Sequence, residues 1–134
     1  MQMKYLLDTH VWIWWNMNPK KLSATLESLL STPENYDELL LSAISIWEFS
    51  KLLEKKRIGI SCNPEEWIAV ALDMPKLRLI PLTPTIAYRS TSLPQPFNAD
   101  PADQIIVATA REENATVLTR DKTIWEYEHV RSLW

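Results

Sequence analysis

Short apolar runs alternate along this chain with stretches of helical periodicity, and that order dictates the class of fold. Lys4 to Asp8, Leu39 to Leu41, Leu77 to Leu82, Ala115 to Leu118 and Val130 to Trp134 are compact enough for strands. Between them Leu22, Leu26, Leu29 and Leu30 recur at the spacing of an amphipathic helix that Pro33 closes. Ile46, Phe49, Leu52 and Leu53 follow the same spacing from Ser45 to near Gly59. The aromatic-rich Val11 to Trp15 reads as a helix or turn, and Pro84 to Pro96 as a short helix plus a loop. Pro64 with Glu65 and Glu66 marks another helix start, because proline fits a first turn and acids suit the positive end of the dipole. Trp67, Val70 and Ala71 are expected to face inward there. Asp100-Pro101-Ala102-Asp103 opens a further helix that runs through Ile105, Ile106, Ala108 and Ala110. Strands separated by helices need crossover connections. The expected fold is therefore α/β, a mostly parallel sheet flanked by helices on both faces.

The length of 134 residues suits a single domain spanning residues 1–134, and neither an internal repeat nor a low-complexity linker divides it. Cys62 is the one cysteine, so the monomer can build no disulfide framework and no cysteine-rich zinc site. A reducing, cytoplasmic setting is expected. Asp8 interrupts the apolar core that a secretory signal requires, and Val11 to Trp15 falls far short of the roughly 20 apolar residues that span a bilayer. With Gly59 as the lone glycine there is no glycine-rich loop to bring backbone amides against a diphosphate. The formal net charge of −3 argues against a broad basic face for nucleic acid. Any such contact must be local, or be assisted by bound cations.

Four acids fall where strands end or helices begin. In open parallel sheets, ligands bind outside the carboxyl ends of the strands, where the topology reverses. Asp8 closes the first strand candidate, Asp121 follows Leu118 by three residues, and Glu48 and Asp103 occupy first turns of helices. All four can line one end of the sheet. Clustered carboxylates raise one another's pKa and need compensation, and oxygen-only ligands select hard ions such as Mg²⁺ or Mn²⁺. Such a site can activate and orient water and stabilise the leaving oxygen of a phosphodiester.

Each acid also has a duller role. Ser45-Ile46-Trp47-Glu48 is a capping box in sequence, and Asp100 with Pro101 is an N-cap start in which Asp103 reaches back. Asp121 can form a side-chain turn toward Thr123 or cap the helix through Ile124. Asp8 resists such an account, because a carboxylate ending an apolar strand would have few partners if buried.

Four segments carry a family resemblance: Tyr-Leu-Leu-Asp-Thr-His-Val-Trp-Ile-Trp (5–14), Ser-Ala-Ile-Ser-Ile-Trp-Glu-Phe-Ser-Lys (42–51), Asp-Pro-Ala-Asp-Gln-Ile-Ile-Val-Ala-Thr-Ala (100–110) and Thr-Val-Leu-Thr-Arg-Asp (116–121). In this order they resemble the successive motifs of PIN-domain toxins of the VapC type. The resemblance implies a PIN-like fold, Mg²⁺- or Mn²⁺-dependent endoribonuclease activity, frequent homodimers, and inhibition by a cognate antitoxin that also binds DNA. It places Asp8, Glu48, Asp103 and Asp121 as the metal-binding, catalytic acids. Thr119 matches a polar position that helps hold the metal waters, and Asp100 is assigned as a supporting N-cap. Gln104 and Asn98 depart from the pattern, standing at or near positions where arginine and histidine are common.

Lys51, Lys55, Lys56 and Arg57 begin one turn after Glu48 and can guide an RNA backbone, although a solvated helix face is the commoner meaning of such a run. Trp12, Trp14, Trp15 and Trp47 can stack on bases, while their number points to core or subunit interface. His10 reads as structural. The principal rival is a non-catalytic module of the same fold that uses its acids as caps and acts through a protein partner. A phosphatase with Asp8 as nucleophile is weakened by His10, which stands where a paired aspartate is needed.

Overall fold

A strand covered on both faces must be apolar at successive positions, and Tyr5 to Leu7 and Leu39 to Leu41 in the middle of the sheet meet that requirement. A computed structural model describes residues 2–134. It holds β1 (Lys4–Leu7), β2 (Glu38–Ser42), β3 (Leu77–Ile80), β4 (Thr116–Leu118) and β5 (Ser132–Leu133). All pair in parallel in the order β3-β2-β1-β4-β5. The helices are α1 (Thr9–Met17), α2 (Ala24–Leu30), α3 (Ala43–Glu54), α4 (Pro64–Leu72), α5 (Pro84–Ser90), α6 (Pro101–Glu113) and α7 (Lys122–Trp125).

Alternation along the strands assigns the two cores. Tyr5, Leu7, Leu39, Leu41 and Leu118 point to one face, where they pack with Trp12 of α1, Leu26 of α2, Phe49 of α3 and Ala71 of α4. Leu6, Leu40 and Val117 point to the other, against Ile86 of α5, Ile106 and Ala110 of α6 and Ile124 of α7. The α/β class with helices on both faces is thus observed. Helix α6 is rich in alanine on its buried side, which lets it lie close to the sheet, and Asn114 ends it in the left-handed conformation at φ 54°.

The strand order sets the site. From β1 the chain moves outward to β2 and β3, then returns to the other side of β1 for β4 and β5. The topology therefore reverses between β1 and β4, and the crevice outside their carboxyl ends is where an open sheet of this kind receives ligands. Asp8 directly follows β1 and Thr119 directly follows β4.

Three local expectations are corrected. Helix α3 starts at Ala43 with Ser42 as its N-cap, so Ser45 and Glu48 are not a capping box. The same helix stops at Glu54, well before Gly59, because Lys56 adopts the left-handed conformation and Arg57 N–H closes back on the Leu52 carbonyl. Val70 is 73% exposed instead of inward-facing. The buried stripe of α4 runs through Trp67, Ile68, Ala71 and Leu72, to one side of it.

Candidate active site

Each acid is delivered by a different element, and hydrogen bonds tie them into one constellation. Asp8 caps α1: its Oδ1 accepts from Thr9 N–H at 2.8 Å, and its Oδ2 accepts from the Thr119 hydroxyl at 2.7 Å. The expectation that Asp8 resists a capping account is corrected, since it does cap; its partners are nonetheless few, one for each oxygen. Thr9 is fully buried, and its hydroxyl donates to Glu48 Oε1 while lying 2.8 Å from Ser45 Oγ. Across the sheet, Thr119 Oγ1 accepts from Asp121 N–H at 2.9 Å. A continuous run of bonds therefore links Glu48, Thr9, Asp8, Thr119 and Asp121. The Thr119 hydroxyl lies fully buried between Asp8 and Asp121, donating to the first and accepting from the backbone of the second.

Asp103 joins from the first turn of α6. Asn98 Nδ2 donates to Asp103 Oδ2 at 3.3 Å and to Thr123 Oγ1 at 3.2 Å, and that hydroxyl donates to Asp121 Oδ1 at 2.8 Å. Gln104 Nε2 holds the Asn98 carbonyl at 3.0 Å. The two residues that depart from the expected pattern thus fix the loop that leads into α6 and the third acid. Asp100 is the N-cap of α6 and accepts from Asp103 N–H at 3.0 Å. Asp121 also caps, taking Thr123 N–H on the same oxygen that binds the Thr123 hydroxyl.

The electrostatics reflect this crowding. Burial raises the Asp8 carboxyl above the usual range against its hydrogen bonds from Thr119 and Thr9. Burial also raises Glu48, with Asp8 and Asp100 adding repulsion. Asp103 is pushed up to about 7, chiefly by burial and then by the charges of Asp100, Asp121 and Asp8. Among the described residues, none of these acids takes part in an ion pair with Lys, Arg or His. Nor do any three His, Cys, Asp or Glu side chains stand tightly enough, as placed, to enclose one metal ion. The donor set is oxygen-only, partly desolvated and uncompensated, a chemistry that fits a hard divalent cation.

An open groove of about 310 Å³ adjoins Glu48 along α3 and includes His10, Trp47, Lys51, Lys55 and Arg57 on its walls. Lys56 lies outside it. A wider cleft of about 740 Å³ opens at the far end of α6. Its arginines serve the fold: Arg111 and Arg131 bind the carbonyls of His129 and Asn114, and Arg89 pairs with Glu112. The site roles missed in the sequence are those of Thr9 and Ser45, whose partners are set by tertiary contacts, whereas the turn of Asp121 toward Thr123 is found as expected. Asn98 was marked as a departure, but nothing local showed which side chain it would hold.

An acidic crevice at the switch point of a parallel sheet defines a class, the open α/β domain with a carboxylate-lined site. The PIN domain profile matches residues 5–130, and the chain belongs to that family. It is 34% identical over 126 residues to Ribonuclease VapC22 of Mycobacterium tuberculosis, covering 94% of this chain and 93% of that protein. A toxin-antitoxin complex from Klebsiella pneumoniae contains a chain of the same fold, with TM-score 0.69, 22% identity, and coverage of 97% of this chain and 96% of that one. The DNA-bound VapBC2 of Rickettsia felis gives TM-score 0.65 at 17% identity, covering 98% of both chains. Among the described residues, no helix is long and apolar enough to cross a membrane.

Proposed function

We propose that this chain is a metal-dependent endoribonuclease and the toxin of a type II toxin–antitoxin pair. The observation that carries this reading is the bonded run from Glu48 through Thr9, Asp8 and Thr119 to Asp121, placed at the switch point with no ion-pair partner among the described residues. The relative named a ribonuclease and the toxin–antitoxin complexes of like fold support it. Asp8, Glu48, Asp103 and Asp121 would hold one or two Mg²⁺ or Mn²⁺ ions. When bound, such an ion supplies the positive charge that draws a phosphodiester in and the acidity that readies a water for attack.

The chain's own residues perform the rest. Thr9 and Thr119 fix the carboxylates of Glu48 and Asp8, Asn98 and Thr123 fix those of Asp103 and Asp121, and Asp100 anchors the helix that carries Asp103. Lys51, Lys55, Lys56 and Arg57 supply cations for the RNA backbone. A homodimer, a cognate antitoxin that covers the site and a cytoplasmic setting complete the reading. The rival, an interaction module with capping acids, accounts for Asp100 and Asp121, both of which do cap. It leaves Glu48 and Asp103 as half-buried acids of raised pKa without a purpose.

Cleavage of cellular RNA by purified protein tests this. Wild type with Mn²⁺ is expected to cut, and excess chelator to stop it. Asp8→Asn is expected to lose more than about a hundredfold in rate, the upper end for groups that merely support a metal ligand. Equal cleavage by wild type and Asp8→Asn would remove the proposal.

A further inference from the structure

Seven tryptophans serve this chain, and they are not equivalent. Trp12 is fully buried, Trp67 stacks on Phe49 at 4.3 Å, and Trp14 and Trp15 pack against the core. Trp47 is 55% exposed although it immediately precedes Glu48 on α3. Single exposed rings are ordinary surface, and Trp125 and Tyr88 are exposed too; Trp47 is set apart by lining the same groove as Glu48.

The surroundings of Trp47 state the partner's chemistry. Lys51 and Lys55 follow at one and two helical turns on the same face, about 12 Å of helix in all. Arg57 lies beyond them, and these three cations share the groove with one carboxylate, that of Glu48. In a chain of formal net charge −3 this is a local excess of positive charge. The Lys51 ammonium stands over the Trp47 ring at 5.8 Å, and its pairing with Glu54 is an exposed one of little strength. Among the described residues, Leu52 is the one aliphatic side chain on the walls of the groove, beside the Trp47 ring and the carbon stems of Lys51, Lys55 and Arg57. A flexible polyanion with flat rings finds both charge and platform there.

We infer that Trp47 is the base-stacking platform for a single-stranded RNA segment next to the cleavage position, with Lys51, Lys55 and Arg57 holding that segment's phosphates. The inference rests on the endoribonuclease reading and names how its substrate is held. A paired duplex buries its base faces, so the platform selects unpaired RNA, and stacking on an indole tolerates any base.

Steady-state cleavage of a fluorogenic single-stranded RNA with Mn²⁺ tests it, using Trp47→Ala and Trp47→Phe. Trp47→Ala is expected to raise KM about 5- to 150-fold with kcat little changed, the range of one lost base–aromatic stack. Trp47→Phe should restore most of the wild-type KM, and both variants should bind Mn²⁺ as wild type does. With chelator present, Lys55→Ala should reduce the slope of log affinity against log salt for labelled oligouridylate by about 0.7, the share of one phosphate contact on a single strand. If wild type cleaves and Trp47→Ala keeps its KM, the platform is refuted while the ribonuclease reading stands. An unchanged KM together with lost antitoxin binding would give the groove to a protein. Absence of metal-dependent cleavage by wild type removes the ribonuclease reading and the platform with it.

Discussion

The Thr119 hydroxyl donates to Asp8 Oδ2 across 2.7 Å, joining the residue after β4 to the residue after β1 although 111 positions separate them. Asp8 is thereby held at the line where the sheet reverses. The bond also replaces water that burial has removed from the carboxylate. Thr119→Val keeps the shape of the side chain and deletes the donor, leaving a buried oxygen short of one partner. A loss of about 1–3 kcal/mol in unfolding free energy is expected, with Thr119→Ser losing less. Urea denaturation followed by tryptophan fluorescence measures it.

Asn98 bridges Asp103 to Thr123, and through it Asp121. Asn98→Ala frees both acids from their common strut while leaving α6 capped by Asp100. Mn²⁺ affinity is expected to fall about 10- to 100-fold, the usual cost of losing a group that orients metal ligands. Gln104→Ala, which loosens Asn98 from behind, should move in the same direction by less. Calorimetric titration with Mn²⁺ distinguishes these from an unaltered site.

The raised carboxyls make stability depend on pH in a definite sense. Asp103 titrates at about 7 in the native state against 3.8 as its ordinary value. Between those values the native state keeps a proton that the unfolded chain has lost, so stability falls as pH rises through the window. The contribution is complete below the lower value and gone above the upper one. Asp8 and Glu48, also raised, act in the same sense. With chelator present, the urea midpoint should therefore be higher at about pH 5 than at about pH 7.5, a span that covers the shifted carboxyls. Asp103→Asn should flatten the trend. Added Mn²⁺ should reverse it, because the ionised form binds the metal.

The legible part of the sequence was the part written locally. Proline and acids at Asp100-Pro101-Ala102-Asp103 gave the start of α6, and the apolar run before Asp8 gave β1 and its end. Alternating runs and helical stripes gave the parallel α/β order. Local pattern misled where two signals competed within a few residues. Both Ser42 and Ser45 have the chemistry of an N-cap, and Ser45 is instead taken by Thr9, 36 positions away. Near the end of α3, Gly59 looked like the natural terminator, yet Lys56 accepts the left-handed conformation three residues earlier. In α4 the stripe through Trp67 admits either Val70 or Ile68 as neighbour, and packing against the sheet chooses Ile68. At the site, the acids could be named from the ends of elements. Their long-range connectors could not, because Thr9 and Asn98 are ordinary polar residues until the fold brings them to Glu48 and Asp103.

Direct titration of Mn²⁺ binding, read from the paramagnetic resonance of the free ion, tests the convergence of the four acids. The account predicts saturable binding by wild type, and losses of more than about tenfold in Asp8→Asn, Glu48→Gln, Asp103→Asn and Asp121→Asn alike, since each removes a ligand charge. Binding that survives unchanged in Asp8→Asn and Asp103→Asn would contradict it.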